Sequence, residues 1–149
     1  TIMQPLQISI KKLDARAVMP SYGSEYAAGA DLCALLDNPA EIQPGQTLFI
    51  PTGLAVEIPE GFVGLICARS GLSCKHGVAP ANKIGVIDSD YRGELQAALF
   101  NHSQETYIIQ PGERIAQLLI IPYAKANFTI TEQLNSTARG TGGFGSTGK

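Results

Sequence analysis

Positive charge is scarce in this chain. Its 149 residues include 11 lysines and arginines against 13 aspartates and glutamates, a net charge of −2 with histidine neutral. A protein that coats nucleic acid carries a basic face, so the balance argues against that class. An anionic ligand would need a few well-placed arginines or a metal. Histidine occurs only as His76 and His102, and no GxSxG is present, so nothing suggests a serine nucleophile. Cys33, Cys67 and Cys74 are odd in number and lack CxxC spacing. A metal set drawn from Cys67, Cys74 and His76 matches no zinc module, and reduced, packed thiols are the better reading. Long apolar runs are missing too: LLIIPYA, residues 118–124, is interrupted by proline and falls far short of the ~18 residues of a membrane span. No charged-then-apolar leader opens the sequence, which favours a cytoplasmic protein. In that compartment the N-x-S/T sequons at Asn101, Asn127 and Asn135 carry no glycan.

Room for helices is equally short, because 16 glycines and nine prolines punctuate the chain. What is present reads as strands. LQISIKKL sets Leu6, Ile8 and Ile10 against Gln7, Ser9 and Lys11; LAVEIP repeats the pattern with Leu54, Val56 and Ile58, and NFTITEQL with Phe128 and Ile130. FVGLICA and IAQLLIIPY are more continuously apolar, as strands covered on both faces or lying at an interface are. Turns recur at QPGQT, IPTG, IPEG, DYRGE and QPGER. One short helix is expected at SGLSCKHG, capped by Ser70 and ended by Gly77. The fold class is therefore all-β, a sandwich, jelly roll or small barrel. A body spans residues 1–136, and from about Thr137 a glycine-rich arm follows, where the burial pattern ends.

That arm, RGTGGFGSTGK, contains GxGxxG and most of a Walker A loop. Both patterns need a strand before and a helix after, and neither context is available here. Three other segments look unlike plain connections. AAGADLCA puts Gly29 and Asp31 in a run of small residues; alone, it reads best as a strand entry with a turn-capping aspartate. ARSGLSCKHG opens the helix with Arg69, Ser70 and Gly71. Free backbone N–H groups, a hydroxyl and a forked cation make a natural phosphate site, and a plain capped turn stands level with it. NKIGVIDSDYRGEL follows an apolar run with two carboxylates, Tyr91 and Arg92-Gly93. As structure this is a hairpin turn; as chemistry, an aspartate at a strand end takes a proton from water and a tyrosine floors a pocket. In PGERIAQLLI, Gln117 is the polar interruption of an apolar strand, and in isolation a structural role is the better reading.

Taken in order, AGADLCA, RSGLSCKHGV, NKIGVIDSDYRGEL, PGERIAQLL and RGTGGFGSTG resemble the five motifs of the trimeric dUTP pyrophosphatases, the dUTPases. The resemblance runs from residue 28 to the tail. Ala68 departs from it, since the family often has proline there. The resemblance implies a jelly-roll-like homotrimer with active sites at the subunit interfaces. It implies hydrolysis of dUTP to dUMP and pyrophosphate, keeping dUTP low and supplying dUMP for dTMP synthesis. Mg²⁺ would ride on the triphosphate while water attacks the α-phosphorus. By position, Asp88 would activate that water and Tyr91 would lie under the deoxyribose. Asn82, with the main chain of a hairpin at Gly85, Val86 and Ile87, would read uracil. Arg69, Ser70 and Gly71 would hold phosphates with help from Gln117, and Asp31 would reach the metal through water. The 137–149 arm would close over a neighbouring subunit's site with Gly143, with Phe144 on the uracil and Arg139 on the terminal phosphates. Two alternatives stay open: a dCTP deaminase or bifunctional deaminase–dUTPase of the same architecture, and a β-sandwich whose RGTGGFG arm binds single-stranded nucleic acid.

Overall fold

The computed structural model describes residues 4–148; the first three residues of the 1–136 body, and Lys149 of the Walker-like tail, lie outside it. The regular secondary structure of the described chain consists almost wholly of β-strands. In order these are β1 (Ser9–Lys12), β2 (Ser21–Tyr22), β3 (Ala30–Cys33), β4 (Ala40–Ile42), β5 (Thr47–Glu57), β6 (Phe62–Cys67), β7 (Val78–Pro80), β8 (Gly85–Ile87), β9 (Glu94–Asn101), β10 (Tyr107–Ile109) and β11 (Arg114–Pro122), with one helix, α1 (Ser70–His76), between β6 and β7.

The strands form a four-stranded sheet, β1-β5-β9-β7, a five-stranded sheet, β2-β3-β11-β6-β8, and the small pair β10-β4. All pairings are antiparallel. Alternation along each strand sends one face inward, and the two larger sheets share one core. Leu32, Ile66, Ile115 and Leu118 from one meet Ile50, Leu54, Leu95 and Leu99 from the other. Each fully buried Leu or Ile contributes about 1.5–3 kcal/mol relative to exposure. The result is the expected all-β, jelly-roll-like layering. Asn101, fully buried at the end of β9, is held by four hydrogen bonds: its amide donates to the carbonyls of Ile42 and Glu105, and its oxygen accepts from Ser103 N and Oγ. A sequon asparagine in that position cannot carry a glycan.

Four expectations change. IPTG is not a turn: residues 50–53 lie inside β5, where the register with β9 shifts between Pro51 and Ala55. NFTITEQL forms no strand: residues 124–136 are exposed and outside any strand, with Phe128 and Ile130 standing free, because the single chain offers this pattern no partner edge. Residues 84–87 are not a hairpin either. β7 belongs to the four-stranded sheet and β8 to the five-stranded one, so the chain crosses between layers here and β8 pairs with β6. DSDYRG likewise connects β8 to β9 of the opposite sheet rather than turning a hairpin. No helix among the described residues is long and apolar enough to cross a membrane.

Candidate active site

The outer face of the five-stranded sheet carries most of the residues singled out by their chemistry. Opposed residues in an antiparallel pair share a face. Gln117 of β11 stands opposite both Asp31 of β3 and Cys67 of β6, so these three form a row across three strands. Just beyond Cys67 the chain turns into α1.

The helix begins one residue away from the expected position. Its N-cap is Arg69, in extended conformation and with no side-chain capping bond, while Ser70 is the first helical residue. Arg69 is held extended by its own bonds: its Nε donates to Asp31 Oδ1 at 3.1 Å and its NH1 to the Arg114 carbonyl at 3.0 Å. Ser73 Oγ donates to the Arg69 carbonyl at 2.9 Å, leaving Ser70 exposed at the helix start beside Gly71. The first N–H groups of a helix have no partner within it, so this corner presents a hydroxyl, backbone donors and a guanidinium. Gly77 closes the helix as expected, at φ 68°. Gln117 Nε2 donates to the Ala68 carbonyl at 2.8 Å, which ties the row to the helix entry. A Cβ on Gly29 would sit 2.8 Å from Gln117 Cδ, so the glycine makes room for that side chain. Asp31, Arg69, Ser70, Gly71 and Gln117 therefore come together.

A second group gathers around β8. This strand is the last of its sheet, so one edge of its backbone at Gly85, Val86 and Ile87 is free of strand partners. Asn82 precedes it in a turn where Lys83 takes φ 66°, a left-handed conformation that costs a non-glycine residue about 1–3 kcal/mol. Asp88 lines an open cavity of about 730 Å³ together with Val63, Leu65 and Val86. Tyr91 folds back so that its hydroxyl donates to the Glu94 carbonyl at 2.9 Å. Gly93 permits this, since a Cβ there would lie 2.6 Å from Tyr91 Cζ.

The two groups do not converge. Ile87 stands opposite Gly64, so Asp88 falls at the level of Val63, about four residues along β6 from Cys67 and Gln117. That is roughly 13 Å along the strands and about 10 Å across two strand spacings. None of Asp31, Arg69, Ser70, Gly71 or Gln117 lines the Asp88 cavity. Between them the outer face is apolar, with Leu119 opposite Leu65 and Leu65 opposite Val86, and Val86 is 61% exposed. The tail residues stand apart from both groups: Arg139 Nε bonds the Gly142 carbonyl at 2.8 Å, Gly143 is half-buried, and Phe144 is fully exposed.

A profile of the dUTPase family matches residues 15–148. The chain belongs to the dUTPase family. It is 46% identical over 148 residues to a deoxyuridine 5'-triphosphate nucleotidohydrolase of Aeromonas salmonicida, covering 96% of this chain and 97% of the relative. Among solved structures, the dUTPase of Staphylococcus bacteriophage 80alpha with dUpNHpp superposes with a TM-score of 0.86 at 31% identity, over 96% of this chain and 99% of that one. A mutant dUTPase from phage phi11 of S. aureus, described with a structural Mg(II) ion, gives 0.77 at 27% identity, over 86% and 98%.

No group of three or more His, Cys, Asp or Glu side chains suited to a metal occurs among the described residues. Asp31 offers one carboxylate, already facing two arginines. That donor set fits Mg²⁺ only as an outer partner, since Mg²⁺ keeps several waters and takes its direct ligands largely from substrate phosphates. The cysteines are free. Burial, and then the charge of Asp31, push the Cys33 thiol up from its ordinary value, so it stays a neutral packed group beside the site. Arg114, Gly29 and Gly93 carry contacts that their place in the sequence did not disclose.

Proposed function

We propose that the protein hydrolyses dUTP to dUMP and pyrophosphate at sites shared between chains of a homotrimer. The observation that carries this reading is the division of the outer sheet face. Arg69, Ser70, Gly71 and Gln117 present phosphate-binding chemistry at one end, and Asp88 with the free edge of β8 presents base and water-handling chemistry at the other. One chain keeps these halves apart, and a symmetric neighbour can bring them together. The apolar stripe between the halves and the free-standing Phe128 and Ile130 support burial against other copies.

In this reading Asn82 and the β8 backbone edge bond uracil as a strand edge bonds another strand. The turn from Asn82 into β8 would exclude a 5-methyl group, and Tyr91 under the sugar would reject a 2′-hydroxyl. Asp88 orients the attacking water and takes its proton, while Gln117 and the Arg69 corner stabilise charge developing at the α-phosphorus. In-line displacement needs positioning and charge stabilisation rather than a covalent nucleophile, and no such nucleophile is assigned. Mg²⁺, bound to the triphosphate, would neutralise charge that this slightly acidic chain cannot, with Asp31 holding its water shell. The 137–149 arm closes over a neighbour's site through Arg139, Gly143 and Phe144; its glycines allow close approach to the ligand. The enzyme would keep dUTP low and supply dUMP for dTMP synthesis in the cytoplasm.

The test is pyrophosphate release from dUTP, dTTP, dCTP and UTP, each with Mg²⁺ and with chelator. Release from dUTP alone, dependent on Mg²⁺, is expected. Uracil nucleotide formed from dCTP would indicate a deaminase instead, and no turnover of any substrate would reduce the site to a binding site.

A further inference from the structure

Arg114 lies within the site and has no part in the reading above. Ala116, Gln117 and Leu118 of β11 stand opposite Leu32, Asp31 and Ala30 of β3 in regular register. Continued one step, that register would set Ile115 opposite Cys33 and turn Arg114 inward with Ala116 and Leu118. Instead Arg114 itself stands opposite Cys33, so Ile115 is one residue extra. Ile115 and Ala116 are consecutive and yet both buried in the core, at 1% and 0% exposure. A one-residue slip moves a side chain to the other face, and a bulge is the device that does this locally. Here it delivers Arg114 to the outer face beside Asp31.

The contacts made there are reciprocal. Arg114 NH1 lies 3.6 Å from Asp31 Oδ2, and Arg69 Nε lies 3.1 Å from Asp31 Oδ1. The Arg114 carbonyl accepts from Arg69 NH1 at 3.0 Å. Asp31 thus faces one arginine on each oxygen, and Arg69 has two of its three guanidinium nitrogens engaged, leaving NH2 without a hydrogen bond among the described residues. The Arg114–Asp31 pair is long and its arginine is 57% exposed, so it does little to hold the fold together. Its effect is on orientation.

We propose that Arg114 is a positioning residue for the phosphate end of the site. Its side chain fixes Asp31, its carbonyl fixes Arg69, and the bulge at Ile115 sets both on the substrate face. This rests on Arg69 being a phosphate ligand. It acts on the triphosphate and leaves recognition of the nucleoside untouched.

Calorimetric titration of the full chain with deoxyuridine and with dUpNHpp, both with Mg²⁺, tests it. For Arg114→Gln, dUpNHpp should bind about 10- to 100-fold more weakly, the scale for losing a group that orients a site residue. The deoxyuridine affinity and the melting temperature should stay near wild type, and Arg114→Lys should recover part of the loss. In the Arg69→Gln background Arg114→Gln should cost little more, because both act through one interaction. Unchanged dUpNHpp binding, an equal loss for both ligands, or fully additive effects would each overturn the assignment. If Arg114→Gln does not fold, Arg114→Lys carries the same comparison against wild type. A wild-type protein that binds neither ligand overturns the proposed function, and this inference with it.

Discussion

At the scale of single residues, the site depends on small groups that make room for larger ones. Gly93 is the clearest case. Its backbone does not need a positive φ, yet a methyl group there would press on the Tyr91 ring. Gly93→Ala should therefore fold normally and displace the ring that, in the proposed reading, excludes ribose. We expect the preference for dUTP over UTP, measured as a ratio of kcat/KM values, to fall by about 10-fold or more, since small misplacements at a site cost that much. An unchanged ratio would detach Tyr91 from sugar selection. The roles assigned to Asp88, Arg69 and Gln117 follow from motif order, and their residue types already suit phosphate and water. Gly93 and Arg114 were not legible in that way. The first matters only through a contact between neighbours in space, and the second only because a bulge reverses the face that simple alternation assigns.

At the scale of elements, strands announce themselves when they are long enough to show a period. β6, β11 and the second half of β5 were legible for that reason; the first half of β5 was not, because the proline and glycine of IPTG read as a turn and lie instead at a register shift within the strand. β7 and β10, three residues each, are too short to display any pattern. The pattern at 127–134 has the opposite fault, since Phe128 and Ile130 alternate correctly but no strand edge within the chain receives them. The helix at Ser70–His76 was placed within a residue; its cap was not, because Arg69 is held by tertiary bonds that local propensity does not contain. The tail is an element of its own. Ending the chain before Arg139 removes no core residue, so the shortened protein should fold and assemble with an unchanged melting temperature. Its kcat/KM on dUTP should fall about 100-fold or more, as expected when a closing segment takes with it a cation and a stacking ring. Full activity after truncation would remove the arm from the mechanism.

At the scale of the whole molecule, the all-β class and two-sheet layering were legible from turn spacing and the shortage of helix-compatible sequence. The separation of the two half-sites was not, because motif order says nothing about which sheet edge each motif reaches. Under the shared-site proposal, Asp88 and Arg69 serve one substrate from different chains. The most direct test is complementation between two inactive variants. Asp88→Asn should lose about 100- to 10,000-fold in turnover, the range for a general base, and Arg69→Gln should be similarly impaired. Co-refolding the two variants together should restore part of the activity, because mixed oligomers contain sites that pair an intact Asp88 from one chain with an intact Arg69 from another. If the mixture stays as inactive as its components while its subunits demonstrably exchange, both residues act within one chain and the shared-site proposal is wrong.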